Sequence, residues 1–130
     1  MRKMKRIVSI SIAVMMAFTM ISVAYARYAV IANFDVTGDI SASSVNGQAT
    51  AIFGETVDAT VKLTLERSSN GGTSFSKYRT LASKSKVGKV IDVTGEASGL
   101  STAYDYRIKA EVFVYNDSGN QIDYDYEYVE

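Results

Sequence analysis

The ten residues VDATVKLTLE, positions 57–66, decide what kind of fold this chain can form. Val57, Ala59, Val61, Leu63 and Leu65 alternate with Asp58, Thr60, Lys62, Thr64 and Glu66. A period of two places the five apolar side chains on one face of a strand and leaves the other face wet. Beyond the first 26 residues, no stretch sustains the 3.6-residue apolar period of an amphipathic helix.

Working outward, period-two segments recur between clusters of Gly, Asn and Ser. Upstream, residues 34–45 carry Phe34, Val36, Ile40 and Ala42 on one face. Asn46-Gly47 then suits a two-residue hairpin turn, since both residues tolerate positive φ. A turn centred there pairs Ala42 with Ala51 and Ile40 with Phe53, and makes residues 48–54 a second strand. Downstream, SSNGGTS (68–74) reads as a flexible turn. Residues 75–82, with Phe75, Tyr78 and Leu81 as anchors, and 86–94 come next as strands, and 95–102 as a loop. The sixth strand, 103–116, presents Tyr104, Tyr106, Ile108, Ala110, Val112 and Val114 on one face; the seventh spans 121–129. Seven short strands separated by turn signals predict an all-β fold, a seven-stranded antiparallel β-sandwich.

The chain ends IDYDYEYVE (122–130), alternating tyrosine and acid. With Asp117-Ser118-Gly119 as a three-residue loop and Gly119 in the left-handed position, Val114 meets Ile122, Val112 meets Tyr124, Ala110 meets Tyr126 and Ile108 meets Tyr128. This register turns the tyrosines inward and the acids outward.

LSTAYDYRIKAEV (100–112) resembles the E–F corner and F strand of fibronectin type III and other immunoglobulin-like sandwiches. The resemblance makes Tyr106 a corner tyrosine whose hydroxyl bonds back to the loop near Leu100. The family's early Trp and its prolines are absent here. NGQATA (46–51), LTLERSSNGG (63–72), YRIKA (106–110) and VYNDSGN (114–120) are together similar to a group of small secreted Gram-positive bacterial proteins known as a domain of unknown function. That resemblance implies secretion and fold, and carries no catalytic residue.

The amino terminus has the order of a secretory signal peptide. Arg2, Lys3, Lys5 and Arg6 form a basic region, residues 7–23 carry no charge, and Ala24-Tyr25-Ala26 offers small residues to signal peptidase. Recognition of Ala24 and Ala26 gives cleavage after residue 26; cleavage after Ala24, or retention of the run as an anchor, are the alternatives. The expected organisation is thus a helical signal peptide at 1–26, a flexible leader at 27–33 and one domain at 34–130. Contact with a membrane is then transient, and the protein is expected to be extracellular.

All five methionines and four of the 14 basic residues leave with the signal, but none of the 14 acids. The remaining ten bases against fourteen acids argue against nucleic-acid binding, which exploits a basic face. Without cysteine, disulfides cannot staple the domain. Without His or Cys there is no Ser-His or Cys-His nucleophile pair and no ordinary zinc ligand set. No enzyme, cofactor or metal is therefore expected. Calcium is the one ion worth weighing, at Asp117, Asn120 and Asp123, but the same residue types make a tight turn.

Lys77, Arg79, Lys84, Lys86 and Lys89 form a basic run with no acid between residues 68 and 91. They suit a surface patch for an anionic wall polymer or acidic partner, or a charge-protected edge strand. Together these features point to a secreted, non-enzymatic binding or structural module for an extracellular protein or cell-surface polymer. A secreted effector, antimicrobial or protease-inhibiting, is one alternative. A carbohydrate-binding module using exposed tyrosines is another.

Overall fold

The computed structural model describes residues 30–130; the signal-peptide reading and its Ala24 and Ala26 lie outside them. The described chain is all-β and antiparallel, with five strands rather than the seven expected. These are β1 (Ile31–Ile40), β2 (Val45–Ser68), β3 (Ser76–Ala97), β4 (Asp105–Tyr115) and β5 (Gln121–Val129). The second and third expected strands are one continuous β2, and the fourth and fifth are one β3. The count differs because residues 55–56 and 83–85, left as gaps between expected strands, lie within β2 and β3. β1 begins at Ile31, which is buried, so residues 31–33 of the expected leader lie in the sheet.

β2 is the spine. Along one edge it pairs with β3 almost throughout. Its other edge pairs with β1 up to Phe53 and with β4 from Asp58 onward. The change of partner falls at Gly54-Glu55-Thr56. There residues 53–56 of β2 face only Lys89 between the pairs Ile52–Val90 and Val57–Gly88. An irregularity of this kind bends a strand and re-aims its second half.

The alternation at 57–66 does what its period requires: Ala59, Val61, Leu63 and Leu65 are fully buried. They join Phe34 from β1, Ala49 and Ala51 from the first half of β2, Ile91 and Val93 from β3, and Ile108 to Val114 from β4. Asn46-Gly47, expected to turn the chain, lies inside β2. The β1–β2 turn is instead Ser41 to Ser44, closed by Ser41 N–H donating to the Ser44 carbonyl (2.9 Å) and by their paired hydroxyls (2.7 Å). Ile40 therefore pairs with Val45, and Ala51 with Phe34, not with Ala42. Gly47 has a different use. A Cβ there would stand 2.9 Å from Ile108 Cδ1, so the missing side chain lets β4 approach this half of β2.

Tyr106 is buried, and its hydroxyl donates to the Ser101 carbonyl (2.7 Å), in the loop beginning at Leu100 as the resemblance implied. Leu100 is itself buried, and its N–H donates to Ser43 O (2.9 Å), tying this corner to the β1–β2 turn. Tyr106→Phe is expected to lose about 1 kcal/mol of stability, the net worth of one such bond. Urea unfolding with an unchanged m-value checks it; an unaltered midpoint would mean that the hydroxyl contributes nothing.

Candidate functional site: an aromatic and cationic face

The β4–β5 hairpin departs from the expected register, and the departure creates the site. The turn is as read: Gly119 has φ 83°, its N–H donates to Asn116 O (2.9 Å), and the Asn116 side chain accepts from Ser118 and Asn120 N–H. Tyr115 then pairs with Gln121, but Val114 pairs with Asp123. Ile122 is the extra residue of a bulge and is exposed. One inserted residue turns every later side chain of the strand to the opposite face. Val112 faces Asp125 and Ala110 faces Glu127, whereas Phe113, Glu111 and Lys109 face Tyr124, Tyr126 and Tyr128.

The tyrosines are thus on the outer face and the acids on the inner one, opposite to the expectation. Among the described residues β5 supplies no fully buried apolar side chain; its one buried residue is Asp125, 3% exposed. Asp125 Oδ1 accepts from the N–H of Tyr126 (2.8 Å), and Asp123 Oδ1 likewise from Tyr124 (2.9 Å).

On the outer face the rings form a continuous row. Centroids lie 5.1 Å apart for Phe113–Tyr124, 6.0 Å for Tyr124–Tyr126 and 5.7 Å for Tyr126–Tyr128, all tilted or edge-on, as ring quadrupoles prefer. Three charged side chains of β4 lean diagonally onto this row. Glu111 accepts from the Tyr124 hydroxyl (2.7 Å), Lys109 Nζ stands 5.3 Å from the Tyr126 ring, and Arg107 stacks 4.1 Å from Tyr128. Such diagonal contacts are within reach of long side chains on neighbouring strands. Lys109 also lies 3.6 Å from Glu111. Burial first, and then the Glu111 carboxylate, push the Tyr124 phenol well above its ordinary range, so it stays protonated as a donor.

Arg107 is held on three sides. Its guanidinium lies 4.2 Å from Phe75 and 4.1 Å from Tyr128, and its Nε donates to Glu66 (2.7 Å). Phe75 is delivered by the SSNGGTS turn, which its own side chains organise. Ser68 Oγ accepts from Gly72 N–H (2.9 Å), Asn70 Oδ1 accepts from Ser68 Oγ (2.6 Å) and Ser74 N–H (3.0 Å), and Gly71 and Gly72 take positive φ.

The basic run falls elsewhere. Lys77, Arg79, Lys84 and Lys86 lie opposite Glu66, Leu65, Val61 and Ala59 on β3, and Lys89 stands in the irregular stretch. All five are exposed, strung along about 40 Å of a strand that, among the described residues, is paired only on its β2 side. Lys84 and Lys86 occupy positions whose β2 partners are buried, an arrangement that discourages pairing by another strand. Of the five, Arg79 contacts an aromatic ring, Tyr78 (5.1 Å). Asp117 and Asp123 are not part of any group of three or more His, Cys, Asp or Glu side chains close enough to hold a metal among the described residues.

The sheet of β1, β2 and β3 carries a different surface, an open polar groove of about 720 Å³ lined by Thr37, Asp39, Asn46, Gln48, Thr94 and Glu96 among others. Beside it Asp92 accepts from Gln48 (3.2 Å) and Thr50 (2.9 Å), bonds that hold its carboxyl below the usual value. Sequence reasoning missed the aromatic row, although Tyr124, Tyr126 and Tyr128 at spacing two already placed three rings on one face.

No family model matches the chain, and no curated protein matches it. Among solved structures, a protein described as a β-galactosidase from Bacteroides fragilis aligns over 73% of this chain and 15% of its own, with TM-score 0.45 and 15% identity. A β-glucuronidase from Bacteroides uniformis aligns over 73% and 12% (0.42; 12% identity). A β-glucosidase from Kluyveromyces marxianus aligns over 75% and 14% (0.35; 8% identity). The chain spans about a seventh of these proteins, and likeness at this level carries no argument about function.

Proposed function

We propose that the protein is a secreted, non-enzymatic binding module, an immunoglobulin-like sandwich that presents the aromatic face of β4 and β5 to a protein or polymer at the cell surface. The inversion of β5 carries this reading. Burial economy would hide three tyrosines and expose three acids. The bulge at Ile122 does the reverse and turns Asp125 inward. Departures from such economy concentrate at working surfaces. Tyr, Phe and Arg are also enriched at binding interfaces, and aromatic rings offer large, rigid contact area at small entropic loss. Folding at the β2 partner switch, with Gly47 against Ile108, supports the two-layer architecture.

The test is retention of the wild-type protein, and of a Tyr126→Ser variant, on cell-wall glycans and on surface-protein extracts. Tyr126 touches rings on both sides and buries no core, so the variant is expected to fold and to bind about tenfold more weakly. Preference for glycans over proteins selects the carbohydrate-binding form of this reading. Equal binding by both proteins, or binding of neither ligand class, refutes it.

A further inference from the structure

A second guanidinium stands in a ring clamp like that of Arg107. Arg67 is the penultimate residue of β2, paired with Tyr106 on one side and Ser76 on the other. It follows Leu63 and Leu65 on the inward stripe, at the point where the stripe leaves the core. Its guanidinium lies 4.1 Å from the Tyr78 ring and 4.2 Å from the Tyr104 ring. Tyr78 is itself an extra residue on β3, between the pairs Leu65–Arg79 and Glu66–Lys77, and it is 40% exposed.

The two clamps differ in one respect. Arg107, between Phe75 and Tyr128, has the Glu66 carboxylate at its edge. Arg67 has no carboxylate within ion-pair distance among the described residues; even Asp105, one register position away, is not one. Rings on the two faces of a guanidinium leave its in-plane N–H groups as the available donors, and that fork matches the two oxygens of an oxyanion. Arg79, 5.1 Å from the same Tyr78 ring, adds a second cation.

We infer that Arg67, Tyr78, Arg79 and Tyr104 form an anion-binding site for a carboxylate or phosphate group. The Arg107–Glu66 pair is its internal counterpart: the ligand oxyanion takes the place at Arg67 that Glu66 holds at Arg107. The two tyrosines hold the fork in one orientation before binding, so little side-chain freedom is lost on capture. Sources with this chemistry are the phosphodiesters of a polyol-phosphate polymer and the carboxylates of a polyuronate. The site lies on the other side of the sheet from the β5 tyrosine row, and its existence does not depend on that row binding anything.

The experiment follows the Arg side-chain Nε–H resonances by NMR during titration with inorganic phosphate, acetate, a polyglycerol phosphate and a polygalacturonate. Arg67 is expected to shift saturably with the small anions, and one of the polymers to compete at lower concentration, which names the source. Arg67→Lys keeps the charge without the fork and is expected to weaken binding by about tenfold or more. Arg79→Gln, at an exposed position, is expected to weaken it a few-fold with the fold intact. A saturable response confined to other arginines, no saturable response at all, or undiminished binding by a folded Arg67→Lys protein overturns the assignment.

Discussion

Truncating Leu63 to alanine is expected to lower stability by about 2–5 kcal/mol, towards the upper end of that range. Leu63 is fully buried at the middle of β2. Its lateral neighbours are Ala82 on β3 and Ala110 on β4. Alanines have no side chain to swing into the space, so the cavity stays open, and the cost of truncation grows with the cavity that remains. For a domain of this size, stabilised by about 5–15 kcal/mol in total, the loss should lower Tm by roughly 10 °C or more. Thermal and urea unfolding check it. A loss under about 1 kcal/mol would show that the packing around Leu63 relaxes, contrary to its setting between two alanines.

Gly47→Ala is expected to cost about 1–3 kcal/mol, the usual range for overpacking. Alanine is ordinarily better than glycine within a strand, so the sign is itself informative. The new methyl would sit 2.9 Å from Ile108 Cδ1 but 3.7 Å from Ile108 Cγ2. Ile108→Val removes the closer atom. The same Gly47→Ala change in that background should therefore cost little, giving a coupling of about 1 kcal/mol in a double-mutant cycle. Additive effects would mean that Gly47 and Ile108 do not pack across the core, and the proposed two-layer architecture would lose its closest contact.

What could be read from the sequence depended on whether a residue's setting has one physical solution. The stripe at Ala59, Val61, Leu63 and Leu65 has one: an alternating run of branched and apolar side chains buries one face. The Asp117-Ser118-Gly119 loop has one as well, because Gly119 takes a left-handed φ that disfavours other residues. The corner hydroxyl of Tyr106 was implied by the resemblance of residues 100–112 to a fibronectin type III corner, and its bond to Ser101 is present. Asn46-Gly47 had two solutions. The pair suits a turn, yet a glycine also serves where another strand's side chain comes close, and Ile108 decides between them. β5 had two as well. Tyrosine is amphipathic, so Tyr-acid alternation fits either face, and the bulge at Ile122 leaves no compositional mark. That ambiguity hid the tyrosine row. The Arg67 clamp was hidden differently, since Arg67, Tyr78 and Tyr104 come from three segments that only the fold brings together.

The way β2 changes partners bears on how the molecule comes apart. β1 and β4 never pair with each other, yet both hydrogen-bond to the same strand, and β3 runs beside nearly all of it. No cut of the chain leaves two pieces that each keep a complete set of neighbours. Partial opening that frees β1 exposes the first half of β2, and loss of the β4–β5 hairpin exposes the second, but neither leaves an autonomous remnant. Unfolding is accordingly a single cooperative event, with amide protons near Val61 and Leu63 among the last to exchange with solvent.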